Sequence, residues 1–101
     1  MFAQTPNTPY TAVIFTSCLS DDIEGYDIAA DEMVRLAQEQ EGYLGIESAR
    51  EKIGITVSYW CDESCAKEWK QNVDHNLVQR IGAERWYRQY RVRIAIVTRD
   101  Y

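Results

Sequence analysis

Trp69 offers an indole N–H donor on a large apolar plate, and Cys65 stands four positions earlier, one helical turn away on the same face. Tyr59, Trp60 and Cys61 lie just upstream, so an aromatic and thiol-rich stretch runs from Tyr59 to Trp69. Beside a sheet, such side chains either wall a pocket for a flat ligand or fill a core. His75 is the only histidine, hence the only side chain whose unperturbed pKa lies near neutrality. Six positions after Trp69 it is about 240° away on a continuous helix, so the two meet only if the helix breaks between them. Asn72 and Asp74 are capping residues that permit such a break. A lone histidine among charged neighbours is also what a solvated or capping residue looks like.

Other chemistries find little support. Cys61-x3-Cys65 is loose spacing for a metal, and one histidine cannot complete a tetrahedral set, so no metal site is expected. Nor is a disulfide expected there, at the start of a helix in a reducing compartment. No serine or cysteine motif sits beside His75 to make a nucleophile and base. Gly42-x2-Gly45 reads as a helix end followed by a strand, not as a phosphate loop.

The elements that must hold these residues follow from 101 residues of ordinary globular composition, 46% apolar and 27% charged, enough for one core. The net charge of −5 disfavours a nucleic-acid partner, since phosphate binding rests on Lys and Arg. Six arginines nevertheless crowd residues 80–101 against only Glu84 and Asp100. They read as surface partners of the acidic first part of the chain, or as an anion site. Arg85-Trp86-Tyr87-Arg88-Gln89-Tyr90 interleaves cations with aromatics, as surfaces that stack on flat ligands do. No apolar run approaches the ~20 residues of a membrane span. Three cysteines and no basic, apolar leader suggest reduced thiols and a cytoplasmic location.

Residues 1–9, which hold both prolines, read as a tail, and 10–101 as the domain. Alternation predicts strands over Tyr10 to Ser17, Tyr43 to Arg50, Gly54 to Trp60 and Tyr90 to Arg99. Helices are predicted over Tyr26 to Gln40, Glu63 to about Gln71 with Asp62 as N-cap, and Val73 to Ala83, with Leu77, Val78 and Ile81 inward. The order is β-α-β-β-α-β, the α+β, ferredoxin-like arrangement with helices on one sheet face. The other face needs a cover, for which a second copy of the chain is expected. Tyr59 and Trp60 fall on opposite faces, so at most one meets the helices.

The phrases Tyr10-Thr-Ala-Val-Ile-Phe-Thr-Ser, Gly42-Tyr-Leu-Gly-Ile-Glu-Ser-Ala-Arg50, Gly54-Ile-Thr-Val-Ser-Tyr-Trp60, Trp69-Lys70 and Glu84-Arg-Trp-Tyr87 resemble the antibiotic biosynthesis monooxygenase superfamily. The resemblance runs from Tyr10 to Tyr101 and implies a dimeric α+β barrel. It also implies oxidation of an aromatic phenol or quinol by O2 without metal, flavin or haem, in a pocket between sheet and helices. Trp69 matches the family's pocket tryptophan. Cys65 stands where quinone-forming members place an asparagine, and His75 where they place a tyrosine. The pocket arginine matches Arg85, Arg88 or Arg91. On this reading His75 is the base, Trp69 the donor, and Cys65, Tyr59, Trp60 and Arg85 line the site. A non-catalytic, small-ligand-binding or stress-related dimer is the other expectation. Haem-degrading relatives need a first-strand asparagine and a histidine ten residues past the tryptophan. The first strand here has no asparagine and the tenth position is Gln79, so that activity is disfavoured.

Overall fold

In a computed structural model, residues 2–79 and 83–101 are described, and the side chains of 77–84 lie outside that description. The inward placement expected of Leu77, Val78 and Ile81 therefore falls outside the described residues. The order is β1 (Tyr10–Leu19), α1 (Tyr26–Gln38), β2 (Tyr43–Arg50), β3 (Gly54–Trp60), α2 (Glu63–Gln79), α3 (Ala83–Trp86) and β4 (Tyr87–Val97). The strands form one antiparallel sheet in the order β2-β3-β1-β4, the ferredoxin-like arrangement expected.

Strand periodicity decides which side chains meet the helices. Val13 pairs with Ser58 on one side and Ile94 on the other, and Phe15 with Thr56 and Val92, so these residues share one face. On β2 one residue is extra between Tyr43, opposite Trp60, and Gly45, opposite Tyr59. That bulge keeps Tyr43 and Ile46 on the same helix-covered face. A second irregularity at Cys18/Leu19 lets β1 run on to Leu19 and pairs Leu19 with Tyr87. β4 therefore begins three residues earlier than the alternation alone indicates.

The expected helix break does not occur, and α2 is continuous through Asn72 and Asp74. Both side chains are engaged elsewhere instead. Lys70 Nζ pairs with Asp74 one turn on, and Asn72 Nδ2 donates to Gln40 Oε1, beyond the end of α1, at 3.4 Å. A capping side chain already engaged with another partner gives no reason to stop the helix.

The core sits at one end of the layer between sheet and helices. Trp60 is fully buried, stacks on Trp69 with ring centroids 5.4 Å apart, and meets Tyr43 edge-on. Its indole N–H donates to Ser58 Oγ at 2.9 Å. Ala37 of α1 and Ala66 of α2, both fully buried, complete this cluster with Val13. Their small side chains let both helices close down over the indole.

The outer sheet face is partly covered by the chain's own first residues. The Ala3 N–H donates to Glu47 Oε2 at 2.9 Å, and the Tyr59 hydroxyl donates to Glu47 Oε1 at 2.6 Å. Thr5 Oγ1 donates to the Tyr10 hydroxyl, which donates to Asp100 at 2.6 Å. The Tyr59 hydroxyl and the Ala3 N–H hold the Glu47 carboxyl below its ordinary range. Burial, then Glu47, pushes Tyr59 up to about 12. A lowered carboxyl stabilises the fold above its unfolded pKa, and that contribution is lost as pH falls through the folded value. Acid is accordingly expected to free residues 2–8, read as a lower protection factor against exchange at the Ala3 amide. Glu47→Gln should speed that exchange at neutral pH and cost about 0.5 kcal/mol, the exposed setting screening the charge. Unchanged exchange in the variant would refute the clamp.

Candidate functional site

The end of the layer away from Trp60 is not filled. A cavity of about 400 Å³ lies there, between the sheet and both helices. Val13 and Phe15 of β1, Ile46 and Ser48 of β2, and Thr56 and Ser58 of β3 form its floor. Ala29, Ala30, Met33 and Val34 bring α1 over it, and Trp69, Val73 and Asn76 bring α2. Small residues on α1 and short hydroxyl residues on the strands, facing one another, leave the volume open.

Aromatic rings close the far end. Trp86 is buried, meets Tyr26 edge-on at 6.0 Å, and donates its N–H to the Glu24 carbonyl at 2.8 Å. Tyr87 lies edge-on to both Phe15 and Tyr26, and Tyr90 stacks on Phe15 at 5.6 Å. Burial raises the Tyr87 phenol well above its usual value, so it faces the cavity as a neutral hydroxyl at physiological pH.

Two donors mark the polar side of the cavity. Trp69 is 5% exposed and its indole N–H has no hydrogen-bond partner among the described residues. Arg50 lies at the rim, where its guanidinium donates to the Ser17 hydroxyl and carbonyl and rests 5.8 Å from the Tyr26 ring centre. Gly54 faces Arg50 across the β2–β3 hairpin, and a Cβ there would occupy the space the guanidinium takes. Arg50 at the rim of a largely apolar cavity, with Asp31 of α1 also in the lining, suits a flat ligand that carries an anionic oxygen at its Arg50 end.

The structure brings together only some of the residues singled out from sequence. Trp69 lines the cavity. Trp60 faces the helices but is core, and Tyr59 is on the outer face with Glu47. Cys65 packs beside the Trp60 cluster, one turn from the cavity, and does not line it. His75 is exposed and does not reach the cavity, because α2 stays unbroken and carries it to another side. Arg85 is held outside by Asp22 at 2.7 Å and Glu24 at 3.1 Å, while Arg88 stands 3.9 Å from Asp21. Arg91 is exposed and pairs with Thr16, on the opposite sheet face from Val92. The arginine at the cavity is Arg50, which strand alternation alone does not single out. The signal that finds it is the glycine opposite, at Gly54.

The fold is that of the antibiotic biosynthesis monooxygenase-like ferredoxin proteins. The chain is similar to SnoaB of Streptomyces nogalater, described as a cofactor-independent oxygenase, with a TM-score of 0.67 and 8% identity over 93% of this chain and 96% of that one. It is also similar to a dimeric ferredoxin-like protein from an uncultured marine organism, with a TM-score of 0.66 and 9% identity over 94% and 92% of the two chains. In sequence it is 43% identical to the uncharacterized protein YqjZ of Bacillus subtilis, over 97% of this chain and 88% of that protein. The chain belongs to the YqjZ family. No family model matches it.

Gly54→Ala is expected to fold, because its Cβ meets only the mobile end of the Arg50 side chain. It should push the guanidinium off Ser17, seen as a shifted Arg50 Nε–H resonance with the sheet amides unmoved. An Arg50 signal identical to wild type would contradict this account of the rim.

Proposed function

We propose that the chain is a cofactor-independent monooxygenase-like enzyme that oxidises a small aromatic phenol or quinol with O2. The observation that carries this reading is the aromatic-walled cavity lined by Trp69, with Arg50 at its rim. A phenolate bound there would place its ring among Phe15, Trp86 and Tyr87 and its oxygen toward the donors. Such donors stabilise the anion in a site that excludes bulk water. The electron-rich phenolate is itself the reductant. For a phenol, one oxygen atom enters the ring carbon para to the hydroxyl, and the second leaves as water with the ring hydrogen and the phenol proton. For a quinol, two electrons and two protons pass to O2, giving quinone and hydrogen peroxide.

No histidine lines the cavity among the described residues, so this reading lets the substrate enter already ionised. The rate then follows the substrate's own phenol ionisation, rising with pH. The test is oxygen uptake by metal-stripped protein with a panel of quinols and polycyclic phenols. Uptake above the protein-free rate is expected, falling about tenfold or more in Arg50→Gln and Trp69→Phe as transition-state donors are lost, with His75→Ala unchanged. No uptake with any member, together with ligand-induced quenching of Trp69 fluorescence, would favour a binding module instead. The absence of any histidine base from the described lining is what speaks for that second reading.

The reading includes a homodimer through the outer sheet face. Residues 2–9 leave Ile55 46% exposed and Ile14 and Val57 half-buried on that face, with Arg91 and Arg93 beside them on β4. A second copy would bury that apolar strip. Sedimentation at micromolar concentration is expected to give twice the chain mass, and Val57→Asp to give monomers. A monomeric wild-type chain would reject the dimer.

A further inference from the structure

The end of the fold opposite the cavity holds a second group of reactive side chains that the proposed oxidation does not use. Cys61 ends the β3 turn, Asp62 caps α2 by accepting the Cys65 N–H at 2.8 Å, and Cys65 is in the first turn. The two sulfurs are 3.8 Å apart. The sulfurs and an Asp62 carboxylate oxygen all lie within 4.8 Å of one another. Two thiolates bound at about 2.3 Å to a tetrahedral zinc stand about 3.8 Å apart, so the observed separation is the edge of such a site. A disulfide needs the sulfurs at about 2.05 Å, so these thiols would have to move to form one.

The backbone around the sulfurs is shaped for them. Gly42, in the turn after α1, has φ +82°, and a Cβ there would lie 2.6 Å from Cys65 Sγ and 2.8 Å from Cys61 Sγ. The Cys61 N–H donates to the Gly42 carbonyl at 2.8 Å, tying that turn to the cysteines. Cys61 is exposed, so solvent reaches the cluster and a fourth ligand position opens outward. The carboxylate retains lone pairs after accepting the Cys65 N–H.

We propose that Cys61, Asp62 and Cys65 form a site for a thiophilic divalent cation of the zinc class, with two sulfurs and one carboxylate oxygen as ligands and water in the fourth position. Each thiol releases its proton to solvent as its sulfur takes the ion, with no change in oxidation state. The site is separate from the cavity and holds whether or not the chain is an oxygenase.

The test is titration of the fully reduced, metal-free protein with Co2+, followed by Zn2+ competition against a chromophoric chelator. One Co2+ per chain is expected, with a sulfur-to-cobalt charge-transfer band and the visible bands of a tetrahedral ion, displaced by Zn2+. Cys61→Ser and Cys65→Ser should each weaken Zn2+ binding by about tenfold or more, since each removes a sulfur that would bind the ion directly. Asp62→Asn keeps a capping side chain, so it should weaken Zn2+ binding while leaving the melting temperature of the metal-free protein unchanged. Cys18→Ser should bind as wild type. No charge-transfer band at excess Co2+, or equal Zn2+ affinity in the Cys61→Ser/Cys65→Ser double variant with its far-ultraviolet dichroism intact, would overturn the site. Unchanged affinity in Asp62→Asn would overturn the three-ligand assignment. A reduced protein that takes no ion but closes an intrachain disulfide in air would overturn the proposal in favour of thiol oxidation.

Discussion

The stack of Trp60 on Trp69 governs the rest of this molecule. Trp60 is the largest side chain in the fully buried core, and its N–H is satisfied within its own strand by Ser58. With no polar debt to settle elsewhere, the ring can act as a plain platform against which α2 is fixed at Trp69. Ala37 and Ala66 bring both helices tight to that platform. Beyond it the helices continue over strands whose inward residues, Thr56, Ser58 and Ser48, are too short to reach them. Tight packing at one end and short side chains at the other are one design, and the cavity is its result. Trp69 belongs to both ends, stacked on Trp60 in the core and lining the cavity.

The electrostatics follow the same division. Arg85 is engaged with Asp22 and Glu24, which ties the β1–α1 connection to α3 and leaves that charge unavailable to a ligand. With Arg88 3.9 Å from Asp21, the surface reading of the arginine-rich end is realised at these two arginines. Arg50 instead has neutral partners among the described residues, the Ser17 oxygens and the Tyr26 ring and hydroxyl. A guanidinium held by neutral groups keeps its full charge for an incoming anion.

Much of the fold is legible in the sequence because period-two alternation is a local property. Gly54 to Trp60 and Tyr43 to Arg50 form strands at the expected bounds, and Tyr59 and Trp60 separate onto opposite faces as alternation requires. The site is less legible because it depends on pairs far apart in the chain. Arg50 reaches the rim only because a glycine faces it across a hairpin. Trp86 and Tyr87 turn inward because α3 and the irregularity at Cys18/Leu19 set the entry of β4. His75 misleads for a different reason. Asn72 and Asp74 carry capping chemistry, but whether a cap is used depends on competing partners, Gln40 beyond the end of α1 and Lys70 one turn back. The Cys61–Cys65 approach is likewise invisible in spacing, since it depends on the turn at Gly42.

Gly42 is subject to two separate demands. Its left-handed backbone makes the last step of the turn from α1 into β2, a setting where few other residues are comfortable. Its missing side chain is the room in which two sulfur atoms sit. An asparagine, which tolerates a left-handed backbone better than most residues, would meet the first demand and violate the second. Over evolutionary time this position is therefore not free to drift as turn glycines do. Replacement at 42 becomes tolerable only in a lineage that has already exchanged a cysteine for something smaller, so the turn and the thiols must be inherited, or lost, in a fixed order.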